Sequence, residues 1–133
     1  MGTGARFIGP VGLPRKCRLL AAARCLLIPS LVPETSSLVG MEALASGTPV
    51  IAFPSGALPE IIEDGRTGFI VDGPREMARA IRHIHQIRPS VCRAAARERF
   101  SADRMIEQYL SLYERLARHG ATKTVEASGR RAF

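Results

Sequence analysis

Two carboxylates, Glu34 and Glu42, stand on either side of a polar and apolar run, Thr35-Ser36-Ser37-Leu38-Val39-Gly40-Met41. Ser36 and Ser37 are residues that cap helix N-termini, so a helix is predicted over Ser36–Ser46. Such a helix leaves the first-turn N–H groups of Ser37, Leu38 and Val39 unpaired and pointing past its end, which is an anion site made of backbone. The helix dipole adds to the attraction, so a phosphate is a reasonable ligand there. From Ser36 to Glu42 the axis rises ~9 Å at about 1.5 Å per residue. That span suits a nucleotide-sugar: Glu34 can accept from sugar hydroxyls, the amides can hold a diphosphate, and Glu42 can take both hydroxyls of a ribose. The same residues also admit a plainer account, with Glu34 complementing the helix dipole and Glu42 half-buried along the helix.

The elements that must position these groups follow from apolar patterning. Short apolar runs at Arg6–Gly9, Cys25–Pro29, Pro49–Phe53 and Phe69–Val71 alternate with helical stretches at Pro14–Ala23, Ser36–Ser46 and Leu58–Glu63. This alternation predicts an α/β fold whose parallel strands are joined by crossover helices, with about four strands. The Glu34 to Glu42 segment follows a strand and opens a helix, where open α/β sheets bind ligands. After Gly73 only helices are predicted. Pro74–Ile87 places Met77, Ile81 and Ile84 on one stripe, and Pro89–Phe100 is dense in Arg. Ser101 caps a third helix, in which Ile106, Tyr109, Leu110, Tyr113 and Leu116 are expected to face the core. The apolar period stops near His119, so residues 1–118 are read as one domain and 119–133 as a disordered tail.

Composition bounds the function. At 133 residues, with 46% apolar and 23% charged side chains, the chain fits one globular domain. No apolar run approaches the ~20 residues of a membrane-spanning helix. The start shows no export pattern, which favours a cytoplasmic location. Cys17, Cys25 and Cys92 are odd in number and lack metal-ligand spacing, so reduced core thiols are expected. The net charge of +7 sits wholly in residues 75–133, where thirteen basic residues face six acidic ones. That half is read as a solvated helix face, with peripheral contact to anionic lipid as its functional counterpart. Nucleic acid is disfavoured, because Trp is absent and no aromatic-rich basic strand accompanies the charge. His83 and His85 are two apart on a helix and face different ways, so no metal site is expected. Ser30 and Ser55 lack a nucleophile-elbow setting, and Gly2-x-Gly4 precedes a strand instead of following one. Glu60, after Pro59, could line a cleft or cap its own helix.

Glu34 to Glu42 resembles the E-x7-E motif of family 4 glycosyltransferases, and Glu42-Ala43-Leu44-Ala45-Ser46-Gly47-Thr48-Pro49-Val50-Ile51-Ala52 resembles the EAxAxGxPVIA that follows it. Gly56-Ala57-Leu58-Pro59-Glu60-Ile61-Ile62 and Gly65-Arg66-Thr67-Gly68-Phe69-Ile70-Val71 match downstream, as Phe7-Ile8-Gly9-Pro10-Val11 and Leu27-Ile28-Pro29-Ser30 do upstream. The resemblance runs from about Arg6 to Arg118. It implies the donor-binding, Rossmann-like C-terminal domain of a GT-B enzyme, one that moves a hexose-type sugar with retention of anomeric configuration. It implies that Glu34 binds the transferred sugar at the catalytic centre. Ser37, Leu38 and Val39 would offer amides to the diphosphate, Glu42 would bind ribose, and Val11 would contact the nucleobase. A phosphate oxygen would help to take the acceptor's proton, with no metal and no cofactor.

The departures set limits. Ser36 and Ser37 stand where many members have an aromatic residue and glycine, which resembles the ETSSLV subgroup and leaves the sugar open. Gly40 inside a helix costs roughly 1 kcal/mol against Ala and marks either close backbone approach or nothing. The Arg and Lys that family members place for the diphosphate, and the acceptor domain, precede the strand corresponding to Arg6–Gly9. The chain by itself is therefore expected to be weakly active or inactive. Its open sheet edge is expected to favour self-association or an acceptor-domain partner. The rival readings are a non-catalytic nucleotide-sugar or protein-binding module and a basic membrane- or RNA-docking domain.

Overall fold

A computed structural model describes residues 4–128, with side-chain surroundings to residue 118. The chain forms two compact units, one ending at Arg97 and one beginning at Glu98.

The first unit is built on three short parallel strands, β1 (Leu26–Ile28), β2 (Val50–Ala52) and β3 (Gly68–Ile70), in the order β1-β2-β3. Leu26 pairs with Val50 and Val50 with Gly68. Consecutive strand residues point to opposite faces, and Val50, Ile51 and Ala52 are all fully buried, so the central strand is covered on both sides. Helix α1 (Leu13–Ala22) leads into β1, and two helices connect the strands: α2 (Leu38–Ser46) joins β1 to β2, and α3 (Leu58–Ile61) lies between β2 and β3. α4 (Pro74–His83) packs on β2 and runs into a 3-10 turn at Ile84–Gln86. The expected stripe is present, with Met77 and Ile84 buried and Ile81 partly so. α5 (Pro89–Phe100) matches its predicted span and buries Cys92, Ala95 and Ala96.

α2 ends by design of its sequence. Gly47 takes φ of 85°, a left-handed conformation that costs an L side chain about 1–2 kcal/mol, and the turn closes through Thr48 N–H to Ala43 O at 2.8 Å. The Thr48 hydroxyl then donates to Leu20 O at 2.5 Å, tying the exit of α2 to the end of α1.

Several expectations are corrected. Arg6–Gly9 is not a strand: it is irregular, and Phe7 is 94% exposed. A strand needs a ladder partner for its N–H and C=O groups, and no strand among the described residues lies beside it or on the outer side of β1. The sheet therefore has three strands where four were expected. Of the cysteines only Cys92 is buried, while Cys25 is partly exposed and Cys17 exposed, because the apolar stripe of α1 turns Leu20 inward and leaves Cys17 outside it.

The second unit is dominated by α6 (Ala102–Ser128). Ser101 caps it as predicted, with Arg104 N–H donating to its hydroxyl at 3.4 Å. Ile106, Tyr109, Leu110, Tyr113 and Leu116 do not face a core; each is 51–62% exposed. Period identifies which residues share a face, and it does not supply a surface to cover that face. The expected tail at 119–133 lies outside the residues whose side chains are described. Among the described residues no helix is long and apolar enough to cross a membrane.

Candidate functional site

The loops that leave β1 and β2 meet at the C-terminal edge of the sheet. Ala57 N–H donates to Glu34 O at 2.8 Å, and Phe53 N–H to Ile28 O at 3.2 Å. Gly56 makes the approach possible. A Cβ there would lie 2.2 Å from Glu34 O and 2.4 Å from Glu34 N, and its φ of 56° is itself left-handed. Glu34 is thus fixed through its backbone, with its side chain partly exposed. Among the described residues no protein group pairs with its carboxylate.

Beyond Glu34 the chain turns into α2, capped by the second of the two serines that the sequence offered. Ser37 is the N-cap, and the first helical bond runs from Met41 N–H to Ser37 O at 3.1 Å. The amides of Ser37, Leu38, Val39 and Gly40 all lie ahead of that bond, so the three named from the sequence fall within the first turn. The Ser37 side chain makes no capping hydrogen bond. It is 2% exposed and its hydroxyl has no partner among the described residues. Gly40 accounts for its position: a Cβ at Gly40 would stand 3.3 Å from Ser37 Oγ and 3.5 Å from Ile28 Cδ1. The glycine marks close packing of the helix start against Ser37 and β1, and its backbone is ordinary. Leu38 and Val39 are 71% and 39% exposed, leaving the first turn open.

Glu42 lies in the second turn of the same helix. Side chains on a helix lean toward its N-terminus, so the Glu42 carboxylate reaches back over the Leu38–Val39 turn. Its Oε1 receives the ammonium of Lys16 on α1 at 2.7 Å. Sequence reading missed Lys16, because a lysine on the polar face of a short helix has no local signal and the contact spans 26 positions. Val11, partly buried, immediately precedes Gly12, the N-cap of α1, and Lys16 lies in the next turn of that helix.

The remaining candidates stand apart. Glu60 is exposed in the first turn of α3. His83 and His85 are exposed with ring centroids 6.5 Å apart, and the described residues contain no cluster able to hold a metal ion. Burial pushes the Cys92 thiol above its ordinary range, and the Cys25 thiol likewise. Two cavities lie elsewhere and include none of Glu34, Ser37, Leu38, Val39 or Glu42. One of about 320 Å³ sits at the C-terminal ends of α1 and α2, and one of about 340 Å³ lies between β3 and α4. The cluster at the start of α2 is an open face.

Residues 1–86 match the family described as glycosyl transferases, group 1. The D-inositol 3-phosphate glycosyltransferase of Nocardioides sp. is 38% identical over 121 residues, which cover 88% of this chain and 25% of that protein. The protein of the same description from Mycobacterium avium is 34% identical, over 92% of this chain and 31% of its own length. That from Streptomyces avermitilis is 46% identical over 79 residues, 58% of this chain and 17% of its own. The chain thus spans about a third or less of the length of these relatives.

Proposed function

The chain belongs to the group 1 glycosyl transferases, and from that membership we propose that its α2 face binds a nucleoside-diphosphate sugar for retaining transfer of a hexose-type unit. The observation that carries the reading is one continuous surface. Glu34 precedes α2 with its carboxylate unpaired among the described residues, the first-turn amides of Ser37, Leu38 and Val39 open the helix, and Glu42 follows in the next turn.

Each group has a task set by its chemistry. The amides and the positive end of α2 receive the diphosphate, and they gain most as negative charge builds on it when the sugar–phosphate bond breaks. Such donors are held by the helix itself, so little reorganisation is needed at the moment of reaction. Glu34 accepts hydroxyl hydrogens of the transferred sugar and sets the anomeric carbon against the phosphates. Glu42 accepts from ribose, and Val11 lies against the base. The acceptor attacks on the face that the diphosphate leaves, and a diphosphate oxygen takes its proton. An acceptor-binding partner, or a second copy of the chain, pairs along the open outer edge of β1.

Calorimetric titration with UDP-, GDP- and ADP-sugars tests the reading. Wild type is expected to bind one nucleotide class, and Glu42→Ala to weaken that binding at least about tenfold, the loss of one charge-assisted hydrogen-bonded contact. Binding of a nucleotide-sugar without turnover when an acceptor-binding chain is added would leave a binding module in place of an enzyme. Absence of binding in all three classes removes the proposal.

A further inference from the structure

Resting on the donor-binding reading, we infer that Lys16 is a positioning residue for the ribose subsite, acting through Glu42. Lys16 Nζ lies 2.7 Å from Glu42 Oε1, and the two side chains are 35% and 38% exposed. The pair is at the surface, where a ligand can reach it. A carboxylate has about four acceptor positions over its two oxygens, and the ammonium takes one. Oε2 has no protein partner among the described residues, so it is left to accept a ligand hydroxyl.

Two physical effects follow. A half-exposed glutamate samples several rotamers, and each must be frozen when a ligand binds; the ammonium freezes the carboxylate beforehand. It also holds that carboxylate over the Leu38–Val39 turn, where α2 has already directed the Glu42 stem.

Lys16 is not needed to dock α1 on α2. That contact has its own means in buried Leu20 and in the Thr48 hydroxyl bonded to Leu20 O. An ion pair this exposed adds little to folding. What it can do is order a carboxylate that a ligand must find.

The test uses the 133-residue chain. Titration with UDP, ADP and GDP selects a base, and the selected diphosphate is compared with its 2′,3′-dideoxy analogue on wild type, Lys16→Met, Lys16→Arg, Glu42→Ala and the Lys16→Met/Glu42→Ala pair. Lys16→Met should weaken the ribonucleotide about three- to fivefold and leave the dideoxy analogue unchanged, the size expected of an exposed pair. Lys16→Arg should restore binding to within about twofold, and Lys16→Met should add nothing in the Glu42→Ala background. Lys16→Gln serves in the same comparison if the methionine variant does not fold. Equal losses on both nucleotides, or no loss on either, overturn the inference and leave the donor site standing. Failure of wild type to bind any of the three diphosphates overturns the donor reading, and the inference with it.

Discussion

Ser37 holds a hydroxyl in the interior with no partner among the described residues, directly beneath the turn that offers amides to a ligand. A buried polar group without a hydrogen bond costs about 1–3 kcal/mol. Ser37→Ala removes that cost while keeping the backbone bond from Met41, so it should leave stability unchanged or raise it by up to about 1 kcal/mol in urea unfolding. Nucleotide affinity should be preserved, because the neighbouring amides and not the hydroxyl do the binding; a loss beyond about tenfold would show the hydroxyl to be a ligand contact. Glu42→Ala should behave in the opposite way. Its side chain is more than a third exposed and its one protein partner is Lys16 among the described residues, so the melting temperature should move by no more than a few degrees while binding collapses.

At the scale of elements, the site depends on two loops that approach within hydrogen-bond distance and on the glycine that lets them. Gly56→Ala places a methyl group against the backbone of Glu34 and forces a left-handed L residue, which should destabilise the unit by roughly 2–4 kcal/mol and abolish nucleotide binding together. Gly47→Ala is a useful contrast. The nearest atom to its new methyl is Arg93 Nη1, the far end of a flexible side chain, so the cost should fall to roughly the left-handed penalty of 1–2 kcal/mol with binding retained. Denaturant unfolding of both variants, with a nucleotide titration on each, separates loop position from general stability. If Gly56→Ala keeps full affinity, Glu34 is not where the site needs it.

At the scale of the molecule, two features set behaviour in solution. Cys92 is fully buried, with its thiol 3.6 Å from Thr67 O, and burial raises its proton affinity over that of the unfolded chain. A thiol whose folded pKa is raised contributes stability that is intact below the unfolded value. Stability should therefore start to fall as pH passes about 8.5 and keep falling until the folded thiol titrates. Cys92→Ala should flatten that alkaline limb in melts recorded at successive pH values. The second feature is the outer edge of β1, which has no strand partner among the described residues, with Leu27 40% exposed on that strand. Such edges recruit other strands. Sedimentation at rising concentration should show reversible association that Leu27→Lys reduces, whereas one monomeric species throughout would discount the edge.

The α/β class, the order of elements from α1 onward, the E-x7-E segment and the family were legible in the chain itself, because strand and helix periods, caps and turn residues are local properties. The span of α5 and the cap at Ser101 show how far local rules reach. What depended on distant neighbours was not legible. Arg6–Gly9 has the composition of a strand but finds no ladder, and the face shared by Ile106, Tyr109 and Leu116 is periodic but uncovered. The pairing of Lys16 with Glu42 and the fit of Gly56 against Glu34 likewise appear only once α1, α2 and the two loops are folded together. Sequence spacing fixes direction along one element, whereas a contact between elements depends on packing of the groups that lie between them, and that is decided in three dimensions.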